Sequence, residues 1–393
     1  MGPADGMVTH SKRIERLIGH AGGHTAGPTL VCVAGVHGNE PSGLAALDRV
    51  FAAIESHELN VRGRFVGLAG NLRALAEGKR FVARDLNRLW KPKGDGSWQQ
   101  ESVDGIPEFV ERGELFGAMH SYMDRAAGEV TVLDLHTASA PTAPFVIFGD
   151  TLRNREFAKR FPLPLVLGLE EQLEGTLMEY VTGLGHRSIA IEAGQHDEPT
   201  SVDHHESVIW LALVHAGLLE EATVPHLERH RGVLDRAAEG VPHLLEIVYR
   251  HEIEPADAFL MRPGYENFTP IVRGEHLADD RDGRILSPGR YRLFLPLYQG
   301  LGNDGFFLAR PIGAFWLAVS SWLRRAGLAS WAKRLPGVRP HPALKNALLV
   351  DGRVARFFVR ELFHLLGYRV TAAADQQWIV MRRDPDGPSD RSG

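Results

Sequence analysis

Short apolar segments alternate with stretches of helical periodicity in the first half of this chain, and this alternation limits the fold more than any other feature. Several segments are apolar on both faces, as strands covered by helices on both sides are. The stretch 41–55 has apolar residues at helical spacing, and Pro41 suits a first helical turn. We therefore predict an α/β fold with a mixed, mostly parallel sheet flanked by helices. The predicted strands are 30–36, 65–69, 130–135, 145–148, 165–169 and 189–192.

The pattern changes in the second half of the chain, where short β-like runs are separated by turn sequences rich in glycine, proline and aspartate. The runs lie at 244–249, 291–297 and 305–308. We predict three units: an α/β domain over 1–220, a smaller β-rich domain over 221–312, and a C-terminal extension, α/β or helical, over 313–393.

Charge and hydropathy exclude several classes of partner. The chain has 44 lysine and arginine against 49 aspartate and glutamate residues, a net charge of -5, which gives no electrostatic reason to expect a nucleic acid. The chain has no run of roughly 18 apolar residues and no visible signal peptide, so we expect a cytoplasmic protein. For the segment 315–334, rich in tryptophan and arginine, a helix docked on the protein's own core is favoured over an interfacial membrane helix. The oligomeric state, including a homo-oligomer, stays open.

Chemically active residue types follow the first predicted strand. His37 and Glu40 stand three residues apart, and Gly38 between them gives the backbone freedom to bring both side chains to one point. In open α/β sheets, ligands bind at the carboxyl ends of the strands. Catalytic zinc commonly takes three protein ligands from histidine and acidic residues and leaves one position for water. The spacing is common by itself, but its position predicts two ligands of a metal site.

Two further strands end in residues of the same kind. His136 closes the strand 130–135 and predicts a third metal ligand, with Asp134 on the same strand face as a partner that orients it. A single histidine there could be structural, but two strand-end imidazoles beside a glutamate favour a metal. Glu192 ends the strand 189–192, and a carboxylate after an apolar strand is costly to bury without a partner. We predict that it acts as a general base toward water.

Arginine and amide side chains cluster between residues 80 and 88. One interpretation is a charged loop with a surface salt bridge. The other is a bidentate clamp for a substrate carboxylate, combined with a cation for a developing oxyanion. The spacing alone leaves both open.

These motifs together resemble the succinylglutamate desuccinylase and aspartoacylase family, whose fold is that of zinc carboxypeptidases. The family's motifs occur here in the same order, over about residues 28–312. They are Gly35-Val36-His37-Gly38-Asn39-Glu40, Arg80 five residues before Asp85-Leu86-Asn87-Arg88, Asp134-Leu135-His136, Glu192-Ala193-Gly194, and the later segments 263–268 and 302–307.

The resemblance implies a role for each matching residue. One zinc ion per chain would be bound by His37, Glu40 and His136. Glu192 would be the general base and then the acid, and Arg80 would polarise the scissile carbonyl. Asn87 and Arg88 would bind a carboxylate of a small substrate. The unit 1–220 would then be the catalytic domain, and the unit 221–312 would shape the active-site cleft.

The hypothesis from the sequence is zinc-dependent hydrolysis of the amide bond of a small N-acyl amino acid. The stretch 176–182 has no arginine where aspartoacylases carry one that binds the aspartate side chain, which argues against N-acetylaspartate. Two alternatives stay open: a metallocarboxypeptidase that acts on short peptides, and a scaffold that binds zinc without catalysis. The sequence specifies neither the acyl group nor the amino acid.

Overall fold

The computed structural model describes residues 14–91, 105–342, 344, 347–351, 353, 363, 365–374 and 377–382. The strands are β1 (Leu17–Gly22), β2 (Thr29–Ala34), β3 (Arg64–Ala69), β4 (Val130–Ala138), β5 (Phe145–Phe148), β6 (Leu165–Leu167), β7 (Arg187–Gln195), β8 (Leu244–Glu252), β9 (Leu260–Met261), β10 (Pro270–Ile271), β11 (His276–Asp280), β12 (Gly283–Leu286), β13 (Tyr291–Phe294), β14 (Asp304–Pro311), β15 (Val338–Pro340), β16 (Ala347–Asp351), β17 (Tyr368–Ala374) and β18 (Gln377–Arg382).

The helices alternate with the strands in the first half of the chain. They are α1 (Ser42–Ser56), α2 (Leu72–Glu77), α3 (Pro107–Met123), α4 (Leu152–Ala158), α5 (Leu177–Gly183), α6 (Thr200–His215), α7 (Leu227–Ala237) and α8 (Ala314–Arg325). Among these described helices, none combines the length and the hydropathy that a membrane crossing requires.

Eleven strands form one large mixed sheet in the order β1-β3-β2-β4-β7-β5-β6-β8-β14-β13-β10. The neighbours β3, β2, β4 and β7 are parallel, whereas β5 is antiparallel to β7 and parallel to β6. The predicted α/β fold with a mixed sheet between helices is confirmed. Because β2, β4 and β7 are parallel neighbours, their carboxyl ends meet at one edge of the sheet.

Alternating residues of the central strands bury both faces of this sheet. Leu30 and Cys32 of β2 pack in a core with α1 and α6, while Val31 and Val33 pack in a second core with α3 and α5. Successive side chains of a strand point to opposite faces, so a strand buried on both faces is apolar throughout. This explains the continuous apolar runs of the sequence.

The β-rich region contributes to two sheets. Strands β8, β14, β13 and β10 extend the large sheet, and β12, β11 and β9 form a small antiparallel sheet of their own. The predicted runs 244–249, 291–297 and 305–308 correspond to β8, β13 and β14. The domain boundaries stay a prediction.

The C-terminal region contains α8 and a separate four-stranded sheet in the order β15-β16-β18-β17. Its core side chains include Leu348, Val350, Phe363 and Val380. This region contacts the α/β unit through α8, since Arg155 of α4 donates to the backbone oxygen of Leu317 at 3.2 Å.

Candidate metal centre and active site

The three sequence motifs meet because their strands are neighbours, and His136 and Glu192 lie within β4 and β7, two and three residues before these strands end. In the register of the sheet, Ala34 at the end of β2 pairs with Leu135 of β4, and His136 pairs with Glu192 of β7. His37 follows β2 through a tight turn. The structure thus brings together the four residues that the sequence motifs singled out as ligands and base.

His37, Glu40 and His136 form a buried cluster. Each offers one ligand atom, and these atoms all lie within 4.8 Å of one another. The Nδ1 atom of His37 lies 2.8 Å from Oε1 of Glu40, and the Nδ1 atom of His136 lies 2.9 Å from Oε2 of the same carboxylate. Two imidazoles and one carboxylate converging on one point are a set of ligands typical of a zinc site.

The outer ring nitrogens of both histidines face carboxylates. The Nε2 atom of His37 lies 3.1 Å from Oδ1 of Asp85, and the Nε2 atom of His136 lies 2.9 Å from Oδ2 of Asp134. Such carboxylates fix the tautomer and the ring orientation of metal-binding histidines, leaving Nδ1 for the ion. Asp134 lies where the sequence placed it, whereas Asp85 has a role that spacing alone did not indicate.

The charges of this cluster favour a bound cation. Burial would raise the pKa of Glu40, but His37 and His136 hold it well below its usual range. Burial would lower the pKa of His136, but Asp134 and Glu40 hold it well above its usual range. The cluster therefore stabilises positive charge between its carboxylates, and a divalent ion bound at the two Nδ1 atoms would supply that charge in place of protons. The residues present fit a metal ion.

Glu192 lies beside the cluster of His37, Glu40 and His136 and lines the cavity that borders it. Its Oε2 atom is buried and has no hydrogen-bond partner among the described residues. Burial and the nearby carboxylate of Glu40 raise its pKa to about 8, against the opposite effect of His136 and Arg80. A carboxylate with a free buried oxygen and a pKa near neutrality is suited to proton transfer.

The turn after β2 requires glycine at position 38. A Cβ atom there would lie 2.0 Å from the carbonyl carbon of Ala74, and the Gly38 amide donates to the backbone oxygen of Arg80 at 3.1 Å. The same contact ties the segment carrying Arg80 to the segment carrying His37. Arg80 Nη2 in turn donates to Oδ2 of Asp85 at 3.1 Å, and Nη1 lies 3.7 Å from Oε1 of Glu40. Arg80 is therefore held beside the ligands and lines the cavity.

The loop after Arg80 is shaped by Glu108, a buried residue of the first turn of α3. Its carboxylate accepts from the backbone N–H groups of Val82 at 2.7 Å, Ala83 at 3.2 Å and Arg84 at 3.2 Å. Sequence analysis did not single out Glu108, because its partners are backbone atoms and form no residue pattern.

Asn87 and Arg88 both line the cavity, but they differ in their contacts. The Asn87 side chain accepts from the backbone N–H of Leu177 at 2.8 Å, and its Nδ2 lies 3.4 Å from Nε2 of His136. Arg88 Nη2 donates to Oδ2 of Asp304 at 3.1 Å and remains 28% exposed. The structure places both residues at the cavity wall, and the interpretation of this loop as a clamp for a substrate carboxylate stays a prediction.

The cavity also contains polar residues that sequence reasoning missed. His196 lies just beyond β7, with Nδ1 2.8 Å from Oγ1 of Thr137 and Nε2 3.4 Å from Oε1 of Gln299. Asp304 comes from the start of β14, far along the chain. The signals available were the position of His196 four residues after Glu192 and that of Asp304 inside the segment 302–307 of the resemblance. The cavity has a volume of ≈130 Å³.

The fold and the site define a mixed α/β protein with a candidate metal centre at the carboxyl ends of its central strands. A family model described as the succinylglutamate desuccinylase/aspartoacylase catalytic domain matches residues 26–212. That part of the chain therefore belongs to this family, as the motifs predicted. The match spans the strands and turns that carry His37, Glu40, Arg80, His136 and Glu192.

The chain is also similar to a relative in sequence and to two solved structures in fold. The chain is 29% identical to the succinylglutamate desuccinylase of Ectopseudomonas mendocina over 267 residues, which are 65% of this chain and 74% of that protein. The fold resembles a crystal structure of a succinylglutamate desuccinylase/aspartoacylase from Rhodobacter sphaeroides, with a TM-score of 0.54, 19% identity, and coverage of 74% of this chain and 87% of that chain. It also resembles the product-bound ectoine utilization protein EutE (DoeB) from Ruegeria pomeroyi, with a TM-score of 0.53, 20% identity, and coverage of 72% and 85%.

Proposed function

We propose that this protein is a zinc-dependent deacylase that hydrolyses the amide bond of a small N-acyl amino acid. The observation that carries the proposal is the meeting of His37, Glu40 and His136 with Glu192 at the wall of one cavity. The name of the Ectopseudomonas mendocina relative, a succinylglutamate desuccinylase, supports hydrolysis of an amide bond.

The ligand set supports zinc as the metal. Nitrogen and carboxylate ligands suit zinc, and three protein ligands are typical of a catalytic rather than a structural site. When bound, zinc acts as a Lewis acid toward the carbonyl oxygen and lowers the pKa of water toward about 7. A catalytic site also needs an opening, and all three ligands line the cavity.

Glu192 is the group that moves protons in this proposal. Its free Oε2 atom accepts a proton from the water that attacks the amide carbon. The bond between that carbon and the nitrogen then breaks, and Glu192 delivers the proton to the leaving amine. The products are a carboxylate and a free amine.

The arginines have separate tasks. Arg80, held beside Glu40 and Asp85, donates to the oxygen of the substrate carbonyl as negative charge develops on it. Arg88, partly exposed at the cavity and paired with Asp304, binds the substrate carboxylate. Asn87 contributes to the same carboxylate site. Its side-chain oxygen is held by the Leu177 amide, so its own position is fixed by the start of α5.

A hydrolysis screen tests the proposal. The zinc-loaded protein is incubated with a panel of N-acyl amino acids and, in parallel, with short peptides, and the release of free amine is measured. We expect turnover of N-acyl amino acids that is lost after chelation and restored by zinc. Preferential cleavage of peptides would favour the metallocarboxypeptidase alternative. Zinc binding without turnover of either class would favour a non-catalytic scaffold.

A further inference from the structure

One wall of the active-site cavity is apolar. Seven of its side chains lie in a single hydrophobic cluster, five of them buried and two, Leu173 and Leu295, partly exposed. This wall, called the apolar wall below, consists of Ile147, Leu169, Leu173, Met178, Ala190, Leu295 and Phe307. Because its residues come from β5, β7, α5, β14, the turn before α5 and the residue that follows β13, several distant segments of the fold build it.

The apolar wall begins next to the proposed base. Ala190 precedes Glu192 by two residues on β7, so the two side chains lie on the same face of the strand. Ile147 of the neighbouring β5 pairs with Ala190 in the register of the sheet. A substituent attached close to the scissile amide would therefore contact this wall when the amide is beside Glu192.

The cavity has few cations with which to bind substrate carboxylates. Among the described residues that line it, Arg80 and Arg88 are the only lysine or arginine side chains. Arg80 is already paired with Asp85 at 3.1 Å and lies 3.7 Å from Glu40. Arg88 shares Asp304 with Arg250, which also pairs with Glu252 at 3.3 Å. Arg88 lines the cavity and is 28% exposed, so it is the guanidinium group available to a substrate carboxylate.

An acidic residue, Glu170, also lies beside the apolar wall. Glu170 lies next to Leu169 and accepts from the backbone N–H groups of Asp150 at 3.2 Å and Gly168 at 3.1 Å. It lines the cavity and is buried. A substrate carboxylate placed against this wall would lose its hydration and would lie near Glu170, and the described lining residues offer no lysine or arginine besides Arg80 and Arg88.

We propose that the substrate carries a single carboxylate, bound at Arg88, and that the other substituent beside the scissile amide is uncharged and apolar and packs on the apolar wall. This inference rests on the proposed deacylase function and specifies its substrate class. The apolar substituent is either the side chain of the amino acid or the acyl group, since both flank the amide. Substrates with a second carboxylate, such as N-acetylaspartate and N-succinylglutamate, are disfavoured.

Four substrates test the inference with the zinc-loaded protein. N-acetyl-leucine has an apolar side chain, N-isovaleryl-glycine an apolar acyl group, and N-acetylaspartate and N-succinylglutamate have additional carboxylates. We expect kcat/KM for at least one apolar substrate to be on the order of 100-fold higher than kcat/KM for either acidic substrate. The faster of the two apolar compounds identifies which substituent the wall binds. Equal or faster cleavage of an acidic substrate would overturn the inference while leaving the deacylase function intact.

A charge placed on the wall should reverse the preference. Leu173 is a partly exposed member of the wall, so Leu173→Arg adds a cation without burying it completely. We expect this variant to gain activity on the acidic substrates and lose it on the apolar one. Leu173→Gln is the matched neutral control, which should lose apolar activity without gaining acidic activity. Equal gains in both variants would show that charge recognition is not the cause. Circular dichroism and melting temperature verify folding.

Binding separates this inference from the proposed function. Glu192→Gln removes the proposed base but not the wall, so calorimetric titration of this variant reports affinity without turnover. Tighter binding of the apolar compound supports the inference, even where the wild-type protein hydrolyses nothing and the deacylase proposal fails. Tighter binding of the acidic compounds, or no binding of either class, overturns it.

Discussion

Two buried ionic clusters in this protein contain similar residue types and differ in their surroundings, since one borders the cavity and the other joins two parts of the chain. The first is the metal-site cluster, which consists of His37, Glu40, Arg80, Asp85, Asp134, His136 and Glu192. The second is the junction cluster, which consists of Asp150, Arg155 and Arg324 and joins the α/β unit to α8. All three junction residues are at most 4% exposed.

Hydrogen bonds pair the charges of the junction cluster. Arg155 donates to Asp150 and also to Ser320 Oγ at 3.2 Å and Ser321 Oγ at 3.1 Å. Arg324 donates to the carboxylate and the backbone oxygen of Asp150, both at 2.7 Å. Such a cluster holds two parts of the chain together, since each buried charge has an opposite partner.

The metal-site cluster is incompletely paired. Glu192 Oε2, Asp134 Oδ1 and Arg80 Nε are buried and have no partner among the described residues. Six of its seven members, all except Asp85, line the cavity, whereas Arg155 and Arg324 do not. Buried polar atoms without partners are rare because they cost free energy, so the three that belong to this cavity's lining indicate polar groups available to a ligand. The comparison predicts that changes in the first cluster alter activity and changes in the second alter stability.

The largest effect is expected for Glu192→Gln. Loss of the proposed general base should lower kcat by on the order of 10⁴-fold. Zinc content and melting temperature should stay close to those of the wild-type protein, because Glu192 is not among the three ligands and its Oε2 atom makes no hydrogen bond among the described residues. Near-normal turnover in this variant would remove Glu192 from the role of base.

The next effect concerns stability and arises in the junction cluster. Arg324→Gln takes one of two cations from buried Asp150. Breaking a buried ion pair should lower the free energy of unfolding by about 3 kcal/mol, measured by denaturant titration. At a temperature where the variant is folded, its zinc content should be unchanged. An unchanged unfolding midpoint would show that the junction does not stabilise the protein.

The third prediction concerns Arg80→Gln, a substitution in the metal-site cluster. Removing the donor proposed for the carbonyl oxygen should lower kcat/KM by about 100- to 1000-fold. Arg80→Lys should recover part of the loss, because the charge returns while the planar group that reaches both Glu40 and Asp85 does not. Equal activity of the Gln and Lys variants would argue that charge at this position is irrelevant to the reaction.

Zinc should stabilise only a protein with an intact ligand set. At a free zinc concentration 100 times the dissociation constant, binding adds about 2.7 kcal/mol to the free energy of unfolding, seen as a rise in melting temperature. His136→Ala should abolish the rise and reduce the zinc content. His20→Ala, which changes an exposed histidine of β1 at the far edge of the sheet, is the matched control. A full equivalent of zinc in His136→Ala would exclude His136 as a ligand.

The smallest effect is expected at the exposed neighbour of Arg324. Arg325 pairs with Glu156 at 2.7 Å, but both side chains are more than half exposed. Arg325→Gln should change the free energy of unfolding by less than about 1 kcal/mol, because solvent screens the pair. The difference between this loss and the loss caused by Arg324→Gln measures how much burial increases the contribution of an arginine–carboxylate pair to the free energy of unfolding. A loss as large as that of Arg324→Gln would contradict the distinction between buried and exposed pairs.

Much of the fold was predictable because its physical signals are local. Apolar runs mark strands buried on both faces, and the helical spacing in 41–55 closely matches α1 at 42–56. The order of strands in the sheet was not predictable in the same way. That β5 runs antiparallel to β7 depends on contacts between distant segments, which no local pattern encodes.

The residues of the candidate site also differ in whether a local sequence pattern marks them. Residues at strand ends could be recognised, because a polar residue after an apolar strand has few structural explanations; their catalytic roles stay predictions. Glu108, Glu170 and Asp304 could not be assigned from the residues alone, because each acts on backbone groups or on side chains far away in the sequence.

The sequence by itself determined the α/β class, the family and the residues able to bind a metal, because each depends on residue type, order and short spacing. Tertiary structure alone decided which strands are neighbours, which polar atoms lack partners, and which side chains form the apolar wall. Substrate preference depends on that last set, since the energy of a buried charge is determined by all groups around it, including those hundreds of residues apart.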